Sequence, residues 1–182
     1  MLSAGGRDIA KYINTHIRQI SAREPVREVA YVPGTVVMIR PEVFRTVGFF
    51  DAHYFFSGEM ADLCERARQR GYISAIDARA RAYHAQHDLS NLRETLYTYY
   101  GLRNRFLFIH KFRRQQEILL YSLWTLYALG MALKAELQNR PARARAICLA
   151  VFDGLHRRFG GQNERVLSTT LKRASPSHVC EE

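Results

Sequence analysis

Apolar and polar positions along the chain follow one rhythm up to about residue 90 and another beyond it. Near the start, Ile9, Ala10, Ile13, Ile17 and Ile20 recur at helical spacing, which predicts an amphipathic helix over residues 7–21. Residues 29–40 (VAYVPGTVVMIR) are rich in β-branched residues and broken by Pro33-Gly34, so a buried strand is expected over 35–39. Pro41 and Gly48 bracket a short helical turn, proline suiting the first position and glycine the exit. Ser57 is an N-cap candidate for a helix over 58–70 that stops at Gly71. Met60, Leu63, Cys64 and Ala67 fall at i, i+3, i+4 and i+7 in that helix, so they share one face and turn Glu59, Asp62, Glu65 and Arg66 away to varying degrees. Two short β segments are expected over 72–76 and 81–84. From Asn91 the pattern is helical almost to the end, interrupted at Asn139-Arg140-Pro141 and at Gly160-Gly161. Two regions follow from this reading, an α/β region over 1–90 and a basic helical region over 91–182.

Composition narrows the class. With 47% hydrophobic and 12% aromatic residues in 182, the chain is too apolar to be disordered and long enough to bury a core. Three cysteines, Cys64, Cys148 and Cys180, with no CxxC pair, argue against a disulfide framework or a zinc cage and for a reducing cytoplasm. Residues 1–23 carry no secretory pattern. The net charge of +10 is lopsided: residues 1–90 have 12 Lys/Arg against 10 Asp/Glu, and residues 91–182 have 15 against 7. Such a basic half attracts phosphates of nucleic acid, anionic lipid or a diphosphate-linked substrate. No nucleic-acid recognition module is present to favour the first of these.

Between Glu117 and Lys134 lie 16 uncharged residues, ILLYSLWTLYALGMAL, preceded by five Lys/Arg in RNRFLFIHKFRR. A spanning helix needs about 20 apolar residues. The run therefore reads as a helix in the membrane interface, with Trp124, Tyr121 and Tyr127 at headgroup depth and basic residues on anionic lipid. The competing reading is a buried core helix.

Four stretches, VPGTVVMIRPEVFRTVGFFD (32–51), YFFSGEMADLCERARQRGY (54–72), DARARAYH (77–84) and YYGLRNRF (99–106), occur in an order and spacing that resembles the second half of the family 2 glycosyltransferases, closest to bacterial rhamnosyltransferase-like members. The resemblance covers roughly residues 30–110. It implies the acceptor-side half of a GT-A, Rossmann-like domain followed by a C-terminal helical region. It also implies inverting transfer of a sugar from a nucleotide-sugar donor to a glycan or lipid-linked acceptor in polysaccharide assembly, at the cytoplasmic face of the cell membrane.

Inverting transfer needs a carboxylate to take the acceptor hydroxyl proton and cationic or metal groups to hold the departing nucleoside diphosphate. The family usually places a Glu-Asp pair at the start of the helix over 58–70, with the aspartate as base. This chain reads Glu59-Met60-Ala61-Asp62, with methionine at the base position. Glu59 is the nearest carboxylate that can substitute and Asp62 lies one turn further on. Without that role, Glu59 stabilises the helix N-terminus and Asp62 pairs with Arg66 at i, i+4. The resemblance also assigns His84 to a divalent ion or the diphosphate, Gly34 and Thr35 to the turn where the acceptor nears the backbone, and Asp51 to the acceptor loop. Arg103 and Asn104, with Arg105, match a segment suited to a diphosphate; the alternative is a solvated basic face.

Neither a Gly-rich phosphate loop nor an Asp-x-Asp triplet is present, so the nucleotide-binding half implied by the resemblance is not in this sequence. Magnesium or manganese is expected only with a complete enzyme. The chain then reads as a truncated or split gene product that needs a separate N-terminal half, or as a non-catalytic, membrane-peripheral remnant or interaction module.

Overall fold

The computed structural model describes residues 5–13, 25–80 and 91–171. They form a mixed α/β and mostly helical structure: β1 (Val26–Glu28), α1 (Pro41–Val47), α2 (Glu59–Arg68), β2 (Ala75–Asp77), α3 (Asn91–Phe112), α4 (Glu117–Leu137), α5 (Pro141–Leu155) and α6 (Asn163–Leu171). A 3₁₀ turn, Arg114–Gln116, joins α3 to α4. The sheet has two antiparallel strands, with Val26 opposite Asp77 and Glu28 opposite Ala75.

The region after residue 90 is helical as the apolar spacing predicts, with one further break, at 113–116, and its helices supply most of the core. Tyr99, Phe106 and Ile109 of α3 meet Trp124 and Ala128 of α4 and Ile147 and Ala150 of α5. Ala128, Ala132 and Ala135 lie at i, i+4 and i+7, and these small residues let α4 approach its neighbours closely. Ile9, Ala10 and Ala61 belong to the same core, which therefore runs across residue 90. The turn into α5 is made by Asn139, at φ 57°, with Pro141 opening the next helix.

Several local expectations are revised. Residues 5–13 hold no helix: Gly6 bridges to Tyr31, and the Asp8 carboxylate accepts from the Ala10 amide at 2.9 Å to form a turn. The remainder of the expected first helix lies outside the described residues, as does the β segment over 81–84. Residues 35–39 form no strand, and Val36 and Met38 are 65% and 99% exposed. A strand exists only through a hydrogen-bonded neighbour, and among the described residues none lies beside this stretch. Ser57 is not the cap of α2. The N-cap is Gly58, at φ 97°, with no side-chain bond, because the preceding loop enters the helix through left-handed backbone. Asp62 and Glu65, off the apolar seam, are nevertheless buried.

Helix α4 is two-faced in the opposite sense from the expectation. Trp124 is buried and its indole N–H donates to the Ala10 carbonyl at 2.7 Å, while the Tyr121 hydroxyl donates to the Phe106 carbonyl at 3.0 Å. The polar tips of these two aromatics are thus committed inside the fold. Leu120 is buried with them, and the other leucines of α4 face out. The stretch Arg114–Leu137 is long and apolar enough to cross a membrane, yet only 28% of its apolar window is buried. Complete burial of a leucine is worth about 1.5–3 kcal/mol, a gain this fold leaves unrealised along the outer face of α4.

Where α5 crosses α3, a Cβ added to Gly154 would come within 2.6 Å of Phe106 Cδ2. Phe106 is fully buried and cannot swing aside. Gly154→Ala is expected to lower stability by about 1–3 kcal/mol, read as a shift in the urea unfolding midpoint.

Candidate functional site

The site is built on the loop between α1 and α2, and α3 holds that loop in place. Phe55, Ser57 and Gly58 all take left-handed backbone, at φ 58°, 67° and 97°. For non-glycine residues such a conformation costs of order 1–2 kcal/mol each, so something else must hold it. Arg103 and Asn104, in the middle of α3, do so. The Arg103 guanidinium donates to the carbonyls of Gly160 (2.6 Å), His53 (3.2 Å) and Tyr54 (3.2 Å), and to the Asn104 side-chain oxygen. The Asn104 amide in turn donates to the carbonyls of Tyr54 (2.9 Å), Phe56 (2.8 Å) and Ser57 (2.5 Å). A guanidinium offers five donors in a fixed fork and keeps its charge, and the rings of Tyr100 and Tyr99 flank it at 4.8 and 5.4 Å. Both residues are buried, 0% and 1% exposed. The structure therefore gives them a task inside the fold. Neither side chain forms a solvated basic face.

Two turns further along α3, Lys111 bridges two acids. Its ammonium donates to Asp51 at 2.8 Å and also to Asp62. Burial by itself pushes the Asp51 carboxyl up, but Lys111 and then the His53 amide and imidazole outweigh it and bring the carboxyl down to about 2. Asp62 is wholly buried and also accepts from Arg66 Nε at 2.7 Å, the i, i+4 pair read from the spacing. Arg66 continues to the carbonyls of Val47, Gly48 and Phe49, so the cluster ties the end of α1 to α2. Beside it the Tyr54 hydroxyl is buried without a hydrogen-bond partner, and burial together with the Asp62 and Asp51 charges pushes its pKa far above the ordinary value. An Asp62 carboxylate held by two cations inside the protein is poorly placed to receive a proton from an incoming hydroxyl.

Glu59 differs. It is the first residue of α2 and half-buried; its Oε2 is shielded from water and has no hydrogen-bond partner. A Cβ on Gly34 would lie 3.8 Å from Glu59 Oε1 and 3.2 Å from Met60 Cγ. The fold thus brings the Pro33-Gly34 turn against the entrance of α2, and the absent side chain at position 34 leaves the approach to the carboxylate uncrowded. Thr35 is exposed beside it. Of the residues proposed from sequence, Gly34, Thr35 and Glu59 come together at this surface. Asp51, Asp62, Arg103 and Asn104 form the supporting cluster behind it, and His84 lies outside the described residues.

Among the described residues no group of three His, Cys, Asp or Glu side chains is placed to hold a metal ion. Asp51 and Asp62 are already neutralised by Lys111 and Arg66. These residues do not fit a divalent cation. A cavity of ≈ 190 Å³ lies elsewhere, between residues 8–9, residues 30–31 and helices α2 and α3. Its charged lining is satisfied internally: Arg113 pairs with Asp8 at 2.7 Å and with Glu65 at 3.1 Å, and Arg68 pairs with Glu65 at 2.7 Å. No protein-family model, curated protein or solved structure matches the chain.

Sequence reasoning passed over Lys111, Tyr54 and Arg113. Lys111 stands seven residues after Asn104, on the same face of α3, which is the one pattern that marks it. Its partners are 49 and 60 positions away, and no local pattern reveals those.

Two outcomes are expected. Arg103→Lys keeps the charge but loses the fork, leaving loop carbonyls unpaired, and is expected to cost at least about 2 kcal/mol in urea unfolding. For Asp51, a folded pKa of about 2 against 3.8 means its stabilisation is complete above the higher value and is lost as pH falls toward the lower. Asp51→Asn is therefore expected to flatten the fall of the urea midpoint between about pH 4 and pH 2, relative to the parent chain.

Proposed function

We propose that the chain forms the acceptor side of an inverting glycosyltransferase of family 2 type, acting on a glycan or lipid-linked acceptor. The observation that supports it is Glu59: a carboxylate at a helix entrance, with one oxygen shielded and unpartnered, facing a glycine turn. This arrangement suits a general base. The acceptor hydroxyl approaches across Gly34, gives its proton to Glu59, and its oxygen bonds to the anomeric carbon as the bond to the nucleoside diphosphate breaks. The unpartnered oxygen leaves a lone pair free to accept that proton, which is the geometric requirement for a base. Lys111, Arg103 and Asn104 act as positioning residues, since they hold the loop that leads into Glu59.

The donor and any divalent ion belong to a nucleotide-binding half that these 182 residues do not supply, whether fused or separate. No step is assigned to a metal on this chain. The second reading, a non-catalytic module of the same fold, draws on Met60: it stands at the family's base position, is 5% exposed and packs on Gly34, while the nearby Asp62 is locked by Lys111 and Arg66.

Reconstitution with a donor-binding half separates the two. On the catalytic reading, Glu59→Gln lowers turnover by about 10²–10⁴-fold, the usual worth of a general base, with helix content unchanged by circular dichroism. Full rate with Gln at position 59 would remove Glu59 from the chemistry. Activity that appears only with Met60→Asp would favour the second reading.

A further inference from the structure

The outer face of α4 has no use inside the fold. Ile118 and Leu137, at its two ends, are 85% and 80% exposed, and between them Leu119, Leu123, Leu126, Leu129 and Leu133 are all more than half exposed. Twenty-one residues at 1.5 Å each make this stripe about 30 Å long, and no charged residue interrupts it between Glu117 and Lys134. Its ends are cationic. Arg114 is exposed at the start, where Arg157, just past the end of α5, also reaches Glu117 at 3.7 Å, and at the finish Lys134 and Arg140 are exposed on either side of a single exposed acid, Glu136.

We propose that this face is a membrane-docking surface: α4 lies in the plane of an anionic bilayer, with its leucines among the acyl chains and its terminal cations on lipid headgroups. Three observations choose lipid over a second copy of the chain. Over residues 118–133 neither the stripe nor the positions beside it carry a charge, so the opposite charges that select and register paired helices in water are confined to Lys134 and Glu136 at one end. The ends are basic in every copy, so pairing would bring like charges together, whereas anionic headgroups complement both ends at once. The face is also wider than a two-residue seam, as an interfacial helix requires. A spanning orientation is disfavoured, since the inner side of α4 packs on α3 and would carry Arg103, Arg105 and His110 toward the hydrocarbon. The proposal rests on exposure and charge alone and stands or falls independently of the sugar-transfer reading.

Vesicle flotation of the 182-residue chain tests it, with phosphatidylcholine alone and mixed with phosphatidylglycerol. The chain is expected to float with the mixed vesicles and much less with the neutral ones. Leu126→Glu combined with Leu133→Glu, both at solvent-facing positions, is expected to lower the bound fraction at least about tenfold, with the helical circular dichroism signal retained. Lys134→Glu with Arg140→Glu should weaken binding to the mixed vesicles only. As a check on orientation, Leu126→Trp should add fluorescence that brominated lipid quenches, while the buried Trp124 of the parent stays unquenched. Flotation unaffected by the Leu126→Glu, Leu133→Glu pair overturns the proposal. So does a chain that never floats but forms dimers in sedimentation velocity that the same pair dissociates, which would make the face a self-association seam.

Discussion

The buried guanidinium of Arg103 is the contact on which the arrangement around Glu59 depends. It stands at the middle of α3, inside the helical core, and reaches out to carbonyls at His53, Tyr54 and Gly160. A cation cut off from water survives there because each of its nitrogens donates to an oxygen and aromatic rings cover its faces. In return, a loop with two non-glycine residues in left-handed backbone is held in a single shape. Everything downstream inherits that shape: Gly58 starts α2, Glu59 takes its first position, and Asp51 and Asp62 are brought within reach of Lys111.

The same network changes the meaning of the basic second half. Within residues 103–114, Arg103 is internal, Lys111 and Arg113 are paired with acids, and Arg105 stacks on Trp124 at 4.1 Å with burial pushing its pKa down. A run of positive charge that reads as a phosphate-seeking surface is largely spent on holding α3 to the first region. Of that run Arg114 stays exposed, at the start of α4, and Lys134 and Arg140 are exposed at its far end. Charge counted along a sequence and charge presented to solvent are different quantities, because desolvated cations in pairs project little field outward.

Helix α4 shows a comparable exchange of faces. Aromatic residues in an apolar helix flanked by arginines suggest an interfacial belt, but an indole or phenol satisfies its polar tip equally well on a backbone carbonyl inside the protein. Trp124 and Tyr121 do this, and alanines pack beside them, leaving the larger aliphatic residues on the outside. The side of the helix that is unsatisfied by the fold is therefore aliphatic and uncharged.

By itself the sequence determined the local elements whose signals are complete within a few residues. These are α1 between Pro41 and Gly48, the buried seam Met60, Leu63, Cys64 and Ala67 of α2, the Asp62–Arg66 pair, and the helices after residue 91 with their breaks at 139–141 and 160–161. Helical periodicity and i, i+4 pairing are short-range properties, so a linear reading captures them. Tertiary structure alone decided the rest: that 35–39 is not a strand, that Gly58 rather than Ser57 caps α2, that Arg103 and Asn104 face inward, and that Glu59 meets Gly34. Each of those outcomes turns on a partner tens of residues away, a neighbouring strand, a carbonyl or a close backbone approach. No pattern within one segment encodes whether such a partner arrives.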